Sequence, residues 1–457
     1  MEEIRFLGAG GSLGGTGIHA DIVAQAMEYK PHFIANDGGS TDAGAYYLGS
    51  GKPAVSWESL KHDLSIVVLQ ALRAGIPLIY GTAATAGSNA HVDWVLELLG
   101  TILRENGLTA RVAAIYADQD AETIVKEFES GNLVALPGAP VLTAERVRGF
   151  SKIVGMMGVE PIQEALRRGA QIVIAGRTSD AALFAAYPIM KGFNPGLAWH
   201  AGKILECGTL ACEKRGKGSM IATIRGDELT ITPVGPNLRA TPQSVASHSL
   251  YENAHPYHHT ECGGILDISD AVYEEAGDGR SARISGSVFE PRPATIKLEA
   301  AELVGHQSVV ICGIRDPYIL DQLDDFLAGS EKAILDRTFN VFPDLVHGRD
   351  FHLTWHVYGR DGVLGRMEPM RHQIGHEVGV VIEATAATQE LSAKIAGIAR
   401  KIILHHPIPK WSGGITGVAL LHSPSVLTRG PVYRFGINHV LKTEDPLSHF
   451  TINLMDM

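Results

Sequence analysis

Short apolar runs alternate with longer amphipathic segments through the first half of the chain. Residues 4–7, 32–35, 77–80, 112–116, 133–136 and 171–175 read as strands. Helices are expected between them. The clearest follows Ser88, where Val92, Val95, Leu96, Leu99, Ile102 and Leu103 recur at three- and four-residue steps and so line one face. Such alternation predicts an α/β fold with a mostly parallel sheet covered by helices in the N-terminal half.

Beyond the basic, glycine-containing stretch 212–218 the pattern changes. Residues 220–224 and 228–232 flank Arg225-Gly226-Asp227, a hairpin signal. Further strands are expected at 282–289, 296–298, 308–314 and 378–383, with a helix near 320–339. A second helix near 388–404 places Leu391, Ile395, Ile398 and Ile402 on one face. Residues 233–242 and 407–414 are rich in proline and polar residues and read as loops. The expected organisation is therefore an α/β domain over 1–215, with glycine-rich loops at strand ends, and a C-terminal α+β domain over 216–457.

A length of 457 residues agrees with two domains, being more than one hydrophobic core usually serves. The net charge of -11 offers no broad basic surface, so nucleic acid is not expected as a partner. No apolar run reaches the roughly 20 residues of a membrane span, and the acidic start Met1-Glu2-Glu3 is unlike a signal peptide. Cys207, Cys212, Cys262 and Cys312 form no CxxC pair, which suits reduced thiols and a cytoplasmic location. Glycine, at 51 residues, is in excess and points to many tight turns.

Chemistry is concentrated in the loops after the strands. Gly8-Ala9-Gly10-Gly11-Ser12-Leu13-Gly14-Gly15-Thr16-Gly17 follows the first strand, and its backbone amides could approach a phosphate or carboxylate. Leu13 breaks the G-x-G-x-x-G dinucleotide pattern. Gly11, Gly15 and Gly17 fit the short-chain dehydrogenase spacing, yet the matching Tyr187-x-x-x-Lys191 contains Pro188. Asn36-Asp37-Gly38-Gly39-Ser40-Thr41-Asp42 follows the second strand; a carboxylate there suits a metal ion, a substrate hydroxyl or proton transfer. The bland alternative is that Ser40 or Thr41 caps a helix.

A near copy raises the functional reading. Gly176-Arg177-Thr178-Ser179-Asp180-Ala181 aligns with Gly38-Gly39-Ser40-Thr41-Asp42-Ala43, and both follow strands. Loops at the carboxyl ends of parallel strands share one edge, so the two are expected to face one crevice, with Arg177 gripping a carboxylate or phosphate. A third loop, 81–89, is small and polar, and Ser88 can cap the next helix. In the second half, His255-Pro256-Tyr257-His258-His259-Thr260-Glu261-Cys262-Gly263-Gly264 gathers imidazoles, a carboxylate and a thiol, without zinc spacing. His200, Glu206 and Cys207 are read as core packing.

At Asn36–Asp42, Gly176–Asp180 and His258–Gly264 the chain resembles the acyclic terpene utilisation AtuA-like family, over most of its length. The resemblance implies catabolism of branched acids and acyl-CoA compounds, together with a small companion domain, fused or separate. The expectation is a hydratase or dehydratase acting on a carboxylate or CoA thioester. Its catalytic set is Asp37, Asp42, Arg177, Asp180 and Cys262. Its substrate contacts are Gly10, Gly11, Asn36, Ser40, Thr41, Thr178, Ser179 and His259. A divalent metal ion is a candidate cofactor, and a homo-oligomer with a separate small subunit the expected assembly. The alternatives are a nicotinamide-dependent oxidoreductase and a non-catalytic subunit of a two-component enzyme.

Overall fold

The computed structural model describes residues 2–15, 17–408 and 417–457. Of the two proline-rich loops, 235–241 joins a strand to a helix, whereas most of 407–414 lies outside the described residues. The chain forms two units, Met1–Glu302 with Phe435–Met457, and Leu303–Arg434. It leaves the first inside strand Thr295–Ile314 and returns inside strand Val426–Lys442. The stretch 212–218, where a boundary was expected, lies within the first unit.

The first unit is built on a ten-stranded sheet. Its centre is five parallel strands in the order Glu3–Gly8, Phe33–Asp37, Leu78–Gly81, Ile172–Ala175 and Arg111–Tyr116. Alternate residues feed two cores on opposite faces: Phe6, Phe33, Ile79 and Val173 in one, Leu7, Ile34, Leu78 and Ile174 in the other. Helix Asn89–Asn106 buries the predicted stripe of Val92, Val95, Leu96, Leu99, Ile102 and Leu103.

The sheet is mixed, which corrects the mostly parallel expectation. The hairpin around Arg225-Gly226-Asp227 forms as read, but its strand Ser219–Arg225 runs antiparallel along Glu3–Gly8. Glu228–Val234, Ala282–Ser285 and Val272–Glu275 extend that side, and Thr451–Asp456 closes the other beside Arg111–Tyr116. Strand Leu133–Ala135 does not join this sheet; it pairs with His439–Leu441. The run 282–289 breaks into two strands at Gly286, whose φ of +81° suits glycine.

The second unit packs helices Leu323–Val341 and Gln389–Ile403 on antiparallel strands Phe351–Tyr358 and Val378–Ala386 and the end of Thr295–Ile314. Thr388 caps its helix by accepting from the Leu391 amide. No helix among the described residues is long and apolar enough to cross a membrane.

Candidate active site

Three adjacent parallel strands, Phe33–Asp37, Leu78–Gly81 and Ile172–Ala175, deliver three loops to one sheet edge. The middle loop stitches the other two. The Gly38 amide donates to the Gly81 carbonyl at 2.8 Å, and the Thr82 and Arg177 amides donate to the Gly176 and Gly87 carbonyls at 2.9 and 2.8 Å. A Cβ on Gly38 would sit 2.6 Å from the Thr82 carbonyl oxygen, so only glycine permits this approach. Thr82, Ala84 and Thr85 hold φ of 47°, 52° and 103°, conformations of order 1–3 kcal/mol above the ordinary basins. Such strain persists where surrounding structure dictates it.

The two near-copy loops meet on Glu299. Arg177, buried, donates from Nε to Glu299 Oε2 at 2.9 Å and from Nη2 to Oε1 at 3.4 Å, and Thr41 Oγ1 donates to Oε2 at 3.1 Å. Arg177 Nη1 is engaged by the Thr178 carbonyl at 2.9 Å and Asp180 at 3.4 Å. The expected role of Arg177 as a grip for an incoming carboxylate is thereby corrected: the carboxylate it grips is the protein's own. Burial opposes the Glu299 anion, but Arg177, Lys297 and Thr41 outweigh it and hold the carboxyl below its usual range.

Ser179, aligned with Thr41, uses its hydroxyl in the same manner, donating to Glu261 at 2.6 Å. Neither hydroxyl caps a helix. Gly44 occupies the N-cap of helix Ala45–Ser50, and Ser179 makes no cap bond to helix Asp180–Met190. Ser40 accepts from the Asp42 amide at 3.1 Å, and Thr178 donates to the Gly176 carbonyl at 2.8 Å. Ser88 does cap helix Asn89–Asn106, with His91 Nδ1 accepting from the Ser88 amide at 3.2 Å.

Asp37 is 7% exposed; its Oδ2 accepts from the Gly39 amide at 2.8 Å, and its Oδ1 is buried without a partner. Burial, then repulsion from Asp180, raise its pKa well above the carboxylate range against the pull of Arg177. Asp37 and Arg177 therefore share one electrostatic site. Three further carboxyls are raised, each chiefly by loss of hydration. Asp180 stands at about 6, where Asp42 and Glu299 add repulsion and Arg177 opposes it. Glu261 stands at about 7, with Ser179 opposing and Asp180 adding. Glu206 stands at about 8, with Lys203 opposing and Asp180 adding. Asp180 keeps 33% of its side chain open to solvent; its upward direction stands because neighbouring anions support it. Lys203, 2.8 Å from Glu206, stays cationic beside that carboxylate.

Sequence reasoning missed Glu299, Lys297 and Lys203, and read Glu206 as core packing. The signal for the first pair was present: Lys297 and Glu299 are charged residues two apart in a strand, hence on one face. A cavity of 510 Å³ borders the cluster, lined by Thr41, Asp42, Lys297, Glu299, Phe435 and Asn438.

The remaining candidates sit differently. Asn36 ties the first loop to the glycine loop, its Oδ1 accepting from the Ala9 amide at 3.4 Å and its Nδ2 donating to the Gly10 carbonyl at 3.3 Å. Gly10 and Gly11 line a separate cleft. Burial and the anions Glu261 and Glu160 push the Cys262 thiol up, away from the nucleophilic thiolate expected of it. His259 is buried and held below its usual range by burial, with Nε2 on the Pro256 carbonyl at 3.0 Å. His200, between Ser287 and Ser249 at 2.7 and 2.8 Å, is pushed down to about 3 by burial and is a neutral core residue, as read. No group of three or more His, Cys, Asp or Glu among the described residues could hold a metal ion, so the cluster does not fit the divalent cation considered from sequence.

Carboxyls with oppositely shifted pKa values, gathered by loops at the carboxyl ends of parallel strands beside a cavity, make this the candidate site of an α/β protein. Residues 57–419 match the family model described as "Acyclic terpene utilisation family protein AtuA", and the chain belongs to that family. The match covers Arg177, Asp180, Glu206, Glu261 and Glu299 but begins after Asp37. Comparisons with curated proteins and with solved structures found no match.

Proposed function

We propose that this chain is a hydro-lyase that adds or removes water next to the carbonyl of a branched carboxylic acid or its thioester. The observation that carries the reading is the Asp37 carboxyl, buried and raised, with one oxygen free of any partner inside a carboxylate cluster. Dehydration needs a base to take the proton beside the carbonyl and an acid to protonate the departing hydroxyl. Asp180, near 6, is largely ionised at neutral pH and serves as base, while protonated Asp37 serves as acid. The C–H electron pair becomes the double bond as the C–O bond breaks, and the Asp37 proton leaves in water. Lys297, on the cavity wall, offsets charge developing on the carbonyl oxygen. Arg177 is a positioning residue that holds Glu299 and Asp180. Family membership supports a place in acyclic terpene utilisation. A small companion subunit and a homo-oligomeric state belong to the same proposal and are read by light scattering of the purified chain.

The test is turnover of a panel of branched 3-hydroxy and 2,3-unsaturated acids and thioesters, followed by conjugated double-bond absorbance. Asp37→Asn should lower kcat by about 10²-fold or more, the usual worth of a positioned acid, with the thermal midpoint retained. A wild-type chain inert toward the whole panel, or an Asp37→Asn variant of full activity, would defeat the proposal.

A further inference from the structure

A second site lies on the far side of Asn36. Gly10, Gly11 and His19 form one wall of a 320 Å³ cleft, and Arg215, Gly216 and Lys217 form the other. Both walls are fixed by side chains that engage backbone carbonyls. Ser219 Oγ donates to Ala9 at 2.8 Å, Asn36 Nδ2 to Gly10 at 3.3 Å, and Thr209 Oγ1 to Gly216 at 2.7 Å. The Gly10 and Gly11 amides make no hydrogen bond among the described residues. The close approach is specific to glycine. At Gly208, with φ +59°, a Cβ would stand 2.8 Å from the Gly11 nitrogen.

The charge is as specific as the shape. On a chain of net charge -11, this cleft is lined by a guanidinium and an ammonium with no carboxylate among them. Among the described residues, neither Arg215 nor Lys217 forms an ion pair. Uncommitted backbone amides in a cleft shared with a planar fork and a point charge are a donor set suited to a tetrahedral oxyanion with several oxygens. A lone carboxylate would leave most of those donors unmatched. The cleft also adjoins the carboxylate cluster through two peptide bonds: Asn36, which braces the glycine wall, precedes Asp37, and Cys207, which lines the cleft, follows Glu206.

We propose that this cleft binds the phosphoryl end of a substrate whose other end reaches the Asp37 cluster. The second clause rests on the reading of that cluster as the reacting site; the first does not. The test is calorimetric titration of the full chain with inorganic pyrophosphate and with adenosine 5′-diphosphate, repeated on Arg215→Ala/Lys217→Ala and on Asp37→Asn. The expected result is saturable binding that weakens at least tenfold in the double variant, strengthens at low salt and is retained in Asp37→Asn. Equal affinity for the two probes assigns a bare phosphoryl handle, and tighter binding of the diphosphate nucleoside assigns a nucleotide one; either supports the site. Absence of binding by both probes, or binding indifferent to Arg215 and Lys217, overturns it. Because the two cleft residues are exposed, their loss should leave the thermal midpoint unchanged. Failure here leaves the Asp37 activity test standing, so the two readings fail separately.

Discussion

The loops Gly38–Ala43 and Gly176–Ala181 share a pattern and a position at neighbouring strand ends, yet they divide the chemistry between them. Each turns an equivalent hydroxyl, Thr41 or Ser179, onto a carboxylate from later in the chain. They differ in charge at one place. The first has Gly39, with φ +129° and packed on Thr85; the second has Arg177, which binds Glu299 through Nε and Nη2. That single exchange sets the charge of the surroundings. Glu299, beside the cation, is held ionised, whereas Glu261, without one as close, is pushed up to about 7. Similar backbones thus hold one carboxylate as an anion and the other as an acid, and the distinction comes from what stands next to them.

The comparison breaks most severely at Arg177. Replacing it with Met leaves Glu299 buried beside Lys297 alone, and stranding a buried charge costs about 3–5 kcal/mol. Arg177→Met should therefore lower the thermal midpoint far more than Gly39→Ala at the equivalent place, where the cost is strain of order 1–3 kcal/mol. Adding Glu299→Gln to Arg177→Met should recover part of the loss, since no anion is then stranded. A double variant as unstable as the sum of the two singles would show that Arg177 and Glu299 do not act as a pair.

Titration sharpens the comparison, because the two carboxyls contribute to stability with opposite sign. Glu261 is raised from 4.5 to about 7, so its contribution is complete below about 4.5 and is lost as pH rises through 7. Glu299 is lowered, so its contribution is complete above 4.5 and is lost as pH falls through its native value. Glu261→Gln should flatten the decline in thermal midpoint between pH 4.5 and about 7. Glu299→Gln should flatten the acid limb below 4.5. The Glu261 effect is of order 1–3 kcal/mol, because displacing a pKa tenfold in proton affinity is worth about 1.4 kcal/mol and solvent screens part of it. Identical slopes in both variants would mean that the two hydroxyl-bonded carboxyls sit in the same environment.

The extent to which sequence revealed this arrangement follows from range. Hydrophobic period showed the five parallel strands and the helix after Ser88, because each is written in consecutive residues. The antiparallel flank escaped, since pairing of Ser219–Arg225 with Glu3–Gly8 is a choice between distant segments. Internal similarity pointed to Asp37, Thr41, Arg177, Ser179 and Asp180 as one group, and their loops are stitched together by the middle loop. It could not supply Glu299, 122 positions beyond Arg177, which decides what the arginine does. Cys262, drawn from the histidine-rich stretch, has Glu261 and Glu160 as neighbours that disfavour a thiolate. The hydroxyls were legible as polar positions, but their partners were not, so capping and carboxylate binding could not be separated.

The smallest and most discriminating effect concerns those hydroxyls. If the loops are functional equivalents, Thr41→Val and Ser179→Ala each remove one hydrogen bond to a carboxylate, worth about 1–2 kcal/mol. A cap would lose a similar amount, so stability alone does not decide. The pH profile does. Thr41→Val withdraws a donor from an ionised carboxylate and should raise the acid limit of stability governed by Glu299. Ser179→Ala withdraws a donor that favours the Glu261 anion, and should carry the decline that ends near 7 to higher pH. Both variants shift a native pKa upward, yet at opposite ends of the profile, as the contrast between the loops requires. Measured as thermal midpoint against pH, two profiles that fall uniformly without moving either limb would return both hydroxyls to simple structural roles.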